Sequence, residues 1–96
     1  MRTIKLMVDY QCYPLWEASP GVVGNIDPGE LPISSALRER LMAWASTFDA
    51  TLNMDDPVTS GFPTDQAAEE FRKEGLELAQ QLQDGLGAAY IVIHKL

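Results

Sequence analysis

Ile4, Leu6, Val8 and Tyr10 alternate with Lys5, Met7 and Asp9. A period of two over residues 2–10 predicts a β-strand with one buried face. The period changes after Pro32. Leu37, Leu41, Trp44, Phe48 and Leu52 recur at spacings of three and four, the apolar stripe of an amphipathic helix. Ser34 or Ser35 can cap its start, and its end is expected near Asn53, short of Pro57, because proline restricts the residue before it. A second stripe of Ala68, Phe71, Gly75, Leu78 and Leu82 predicts another helix, capped by Thr64 or Asp65 and stopped by Gly85 or Gly87. Glycine inside a helix costs about 1 kcal/mol relative to alanine. Gly75 is therefore expected where this helix closely approaches the other helix or the sheet. Tyr90-Ile91-Val92-Ile93 is apolar on both faces and reads as an inner strand with helices over one side.

The stretch between the first strand and the first helix is punctuated by turns. Pro14 bars its neighbourhood from a central strand position. Ser19-Pro20-Gly21 is a turn signal, after which Val22 to Ile26 return as a short strand pairing near Leu15; Asp27-Pro28-Gly29-Glu30 is a second turn. The order strand, loose hairpin, helix, helix, strand predicts an α/β (α+β) two-layer sandwich, a small β-sheet with both helices packed on one face. Ninety-six residues fit a single domain, 1–96.

Composition narrows the function classes. The chain is 46% hydrophobic and 22% charged, which suits a globular fold rather than a disordered one. One cysteine, Cys12, leaves no intramolecular disulfide and no cysteine-rich zinc site, and it reads as a small buried apolar residue. No apolar run reaches the roughly 18–20 residues that span a bilayer. The alternating first residues do not form a signal peptide, so a cytoplasmic location is expected. Between Asp49 and Asp84 nine acids meet two bases, which carries the whole net charge of −7, while the rest of the chain balances. Such a charge disfavours nucleic acid and anionic membranes as ligands and favours a basic protein partner.

Few residues suggest chemistry. Asp49, Asp55 and Asp56 are three carboxylates near a helix end, able in principle to hold Mg²⁺ or Ca²⁺, but their spacing is not that of a calcium loop, and no metal or cofactor is expected. His94 has no recognisable nucleophile and orienting acid and reads as a surface or edge residue. Ser60-Gly61 lacks both the nucleophile elbow and the phosphate-loop pattern. No catalytic residue is expected. The better reading is binding, by an acidic face of Asp49, Asp55, Asp56, Glu69, Glu70 and Glu74 with Trp16 and Phe62 as aromatic anchors. Trp44 and Phe48 are expected in the core. A small metal-dependent module or enzyme using the three aspartates, and a housekeeping homo-oligomer, are the alternatives.

Three strings carry a resemblance: Asp9-Tyr10-Gln11-Cys12-Tyr13-Pro14-Leu15-Trp16, Gly24-Asn25-Ile26-Asp27-Pro28, and Phe48 to Pro57 continuing through Ser60-Gly61-Phe62. They resemble a family of short, acidic, uncharacterised bacterial proteins. Size and acidity are also similar in type to the immunity proteins of contact-dependent growth inhibition and related polymorphic toxin systems. That resemblance implies a cytoplasmic protein that occludes a basic, nuclease-like toxin domain, the C-terminal domain of a secreted effector.

Overall fold

The structure, a computed structural model, describes residues 2–22, 24–51, 62 and 64–96. Four strands and two long helices follow in the order β1 (Arg2–Leu6), β2 (Leu15–Glu17), β3 (Gly24–Ile26), α1 (Ser35–Asp49), α2 (Asp65–Leu86) and β4 (Tyr90–His94). The sheet order is β3-β2-β1-β4. β1 pairs antiparallel with β2 and parallel with β4, and β2 pairs antiparallel with β3. The expected two-layer α+β arrangement is therefore present, with α1 and α2 on one face.

Register explains which face that is. Ile4 and Leu6 on β1, Leu15 on β2 and Ile26 on β3 are buried against Leu37, Leu41, Trp44, Leu78 and Leu82 from the helices. Each such side chain stabilises the fold by roughly 1.5–3 kcal/mol relative to exposure. Side chains alternate across a strand, so Lys5, Trp16, Asn25, Ile91 and Ile93 lie on the opposite, uncovered face.

Local chemistry sets the boundaries. The side chain of Ser34 accepts from the Leu37 N–H, and Thr64 accepts from the Ala67 N–H, so both helices begin on the predicted caps. Gly87, at φ 78°, ends α2 in a backbone conformation that side chains disfavour. α1 stops at Asp49, earlier than expected, where Thr51 Oγ1 donates to the Phe48 carbonyl at 2.6 Å. Asn53 falls outside the described residues. β1 is also shorter than its alternation suggested: the chain turns at Tyr10 and Gln11, although Tyr10 still stacks on Phe48.

The placement of β4 needs correction. Its two apolar faces suggested an inner strand, yet β1 is the inner strand and β4 lies at the edge. Ile91 and Ile93 are 44% and 42% exposed because nothing covers that side of the sheet among the described residues. The free edge is closed by a side chain instead. The Gln83 amide donates to Tyr90 O at 2.9 Å, and its oxygen accepts the Val92 N–H at 2.8 Å. α2 thus supplies a short substitute for a neighbouring strand, which limits edge-to-edge pairing.

Candidate functional site

α1 and α2 pack closely where Gly75 of α2 faces Trp44 of α1. A Cβ on Gly75 would lie 2.7 Å from Trp44 Cζ2. Trp44 is buried, stacks on Phe71 at 4.6 Å between centroids, and donates from Nε1 to the Phe71 carbonyl at 3.0 Å. Phe71 continues the stack to Phe48 at 6.0 Å and meets the ring of Phe62, tilted by 41°, at 4.9 Å, and Phe48 stacks on Tyr10 at 4.6 Å. A run of rings therefore leads from the core to the surface at this end of the molecule.

Two hollows flank its outer end. One, about 250 Å³, lies between the helices and is lined by Thr47 of α1 and by Phe62, Ala67, Glu70, Phe71 and Glu74. The other, also about 250 Å³, is lined by Val8, Phe48, Phe62, Ala68, Phe71 and Leu96, with Arg72 and Lys95 beside them. Phe62 and Phe71 form the ridge common to both.

The acids do not share one surface. Glu70 and Glu74 are one helical turn apart and both line the first hollow. Glu77 continues that stripe and meets Arg40 at 3.9 Å; Arg40 also donates to Gln81 at 2.7 Å. Glu69 points about 100° further round α2, where it pairs with Arg72 at 3.6 Å. Asp49 is occupied elsewhere. Its carboxylate accepts the Gln11 N–H at 2.9 Å and so holds a residue whose φ of 60° is uncommon for a side-chain-bearing residue. It lines a different hollow of about 360 Å³ with Tyr13, Asn25 and Met42. Trp16, half-buried on the uncovered sheet face, donates from Nε1 to Met7 O at 2.9 Å. Asp55 and Asp56 lie outside the described residues. Among the described residues no three acids, histidines or cysteines come together in a way that can hold a metal ion.

A family model described as Serratia CdiI immunity protein-like matches residues 2–95. The chain belongs to that family. No curated protein matches it. Among the described residues, no helix of this CdiI-like chain is long and apolar enough to cross a membrane.

The ridge and its two hollows form the candidate contact surface of this CdiI-like chain. Phe62 and Glu70 and Glu74 were legible as candidates from the sequence. Phe71, which reads there only as part of the helical stripe, is half-buried and lines both hollows. Lys95 and Leu96 were not legible. They reach the site because β4 runs parallel to β1 and delivers the chain end beside Val8, a pairing with no local sequence signal.

Proposed function

We propose that this CdiI-like protein neutralises a basic, nuclease-like toxin domain, the C-terminal domain of a secreted effector, by occluding it in the cytoplasm. It acts by binding, not by catalysis. The observation that carries this reading is the open groove in which Glu70 and Glu74 flank the rings of Phe62 and Phe71. No ion pair reaches either carboxylate among the described residues. Both acids are exposed, so their charge is available to a lysine or arginine whose aliphatic stem lies along the rings. Carboxylates presented this way stand in for the phosphates that a nuclease binds. The remaining acids of the stretch, Asp49, Asp55, Asp56 and Glu69, add to the attracting field rather than to this one contact, and Trp16 lies on the far side of the sheet.

Opposite charge mainly accelerates encounter, by roughly 10–10³-fold at low salt. Stopped-flow association with the toxin domain recovered by pull-down from the native organism provides the test. The double variant Glu70→Lys, Glu74→Lys is expected to slow association by about tenfold or more at low salt and to flatten its salt dependence. Unchanged rates at every ionic strength would refute the electrostatic docking.

A further inference from the structure

The hollow on the other side of Phe62 is not explained by docking a cation. It is lined by Phe48 and Ala68 and by the Phe62–Phe71 ridge, and Arg72 and Lys95 stand beside it. Its volume of about 250 Å³ accommodates a leucine- or phenylalanine-sized side chain. Its rim charge is opposite to that of the neighbouring groove. Arg72 is only loosely engaged, since its contact with Glu69 is 3.6 Å and both side chains are about half exposed, at 52% and 54%. Lys95 makes no ion pair among the described residues.

We infer that this hollow receives a large apolar anchor side chain of the toxin domain, next to a toxin carboxylate that meets Arg72 and Lys95. The toxin then straddles Phe62, with a cation between Glu70 and Glu74 on one side and the acid-flanked anchor on the other. This inference rests on the acidic docking proposed above and adds orientation to it. A pose turned end for end sets cation against cation and acid against acid, which costs affinity and rejects wrong partners. Interface energy concentrates in such desolvated anchors, while rim charges chiefly set encounter and register.

The two contributions separate kinetically. Ala68 is exposed on α2 and leucine is nearly as good a helix former as alanine, so Ala68→Leu fills the hollow without removing a charge. Binding of the same toxin domain is followed by biolayer interferometry, with far-ultraviolet melts confirming that each variant is folded. Ala68→Leu is expected to raise the dissociation rate about tenfold while leaving the association rate and its salt dependence unchanged. Lys95→Glu, outside every helix and strand, is expected to raise dissociation as well. Unchanged dissociation in Ala68→Leu overturns the anchor even where the Glu70 and Glu74 variants behave as proposed. Unchanged dissociation in Lys95→Glu overturns the flanking carboxylate. An effect of Ala68→Leu together with inert Glu70 and Glu74 variants overturns the straddling pose and, separately, the electrostatic docking.

Discussion

Replacing Gly75 with alanine tests the crossing on which the proposed docking surface is built. Alanine in a helix interior gains about 1 kcal/mol over glycine, so at an open position the change stabilises. At Gly75 the new methyl would lie 2.7 Å from Trp44 Cζ2 and 3.0 Å from Leu96 Cδ2, whereas carbon atoms in favourable contact sit about 3.5–4.0 Å apart. Leu96 can move aside, because its side chain is 41% exposed. Trp44 cannot easily do so, because it is 1% exposed, stacked on Phe71 and hydrogen-bonded through Nε1. Forcing that ring aside costs about 1–3 kcal/mol, which leaves a net destabilisation of about 0–2 kcal/mol after the propensity gain is subtracted. Gly85 is the internal control. A Cβ there meets Ile33 Cγ2 at 3.6 Å and Leu37 Cδ2 at 3.8 Å, ordinary contact distances. Gly85→Ala should therefore stabilise, by less than 1 kcal/mol so near the helix end. Urea unfolding with unchanged m-values should rank the midpoints Gly85→Ala, wild type, Gly75→Ala, and each kcal/mol corresponds to about 4–8 °C in Tm for a domain of this size. A midpoint for Gly75→Ala above wild type, as the propensity gain alone would give, would refute the tight crossing.

Two further predictions concern the sheet. Glu17 is held below the usual carboxylate range, first by the Ser19 hydroxyl donating to it at 2.8 Å and then by Arg2 at 2.8 Å. A lowered folded pKa contributes stability above the unfolded value of about 4.3 and loses it as pH falls through the folded one. The stability gap between wild type and Glu17→Gln should be widest at neutral pH and close below about pH 4; chemical denaturation at several pH values measures it, and a gap constant down to pH 2 would contradict the assignment. Gln83→Ala removes the clamp on Tyr90 O and Val92 N and should cost about 1–2 kcal/mol. Hydrogen exchange at the Val92 amide should accelerate more than at Ile93, whose parity along β4 turns its N–H toward β1; equal acceleration would mean that the clamp does not guard the edge.

Much of the frame was readable because it follows from local rules. Both helix caps, both apolar stripes, the hairpin after Pro14 and the close approach at Gly75 each leave a signature within a few residues. The position of β4 left none. Strand order depends on which partner closes the sheet after a long crossover through two helices, and apolar residues on both faces of Tyr90–His94 describe side chains, not neighbours. The directions in which the acids point were illegible for a related reason. Charge counted along the sequence ignores direction, and about 100° of helical rotation is enough to send Glu69 toward Arg72 while Glu70 lines the groove. Asp49 looked like part of a cluster and instead spends its carboxylate on the Gln11 backbone, a contact across 38 residues that no spacing rule anticipates.

The aromatic run has a consequence for how recognition and stability are divided. Phe71 touches Trp44 in the core and Phe62 at the surface, so any change at Phe71 disturbs folding together with the proposed docking surface. Ala68, Glu70, Arg72 and Glu74 surround the same ridge from exposed helix positions, where substitutions ordinarily alter stability by no more than about 0.5 kcal/mol. Charge and size at those four positions can therefore be exchanged while the ridge and its supporting crossing stay fixed. A scaffold organised this way separates the shape of the docking surface, set by rings anchored in the core, from its electrostatic pattern, set by side chains that the core does not need. Under the proposed docking, specificity for one toxin over another resides in the rim, where altering it costs the fold least.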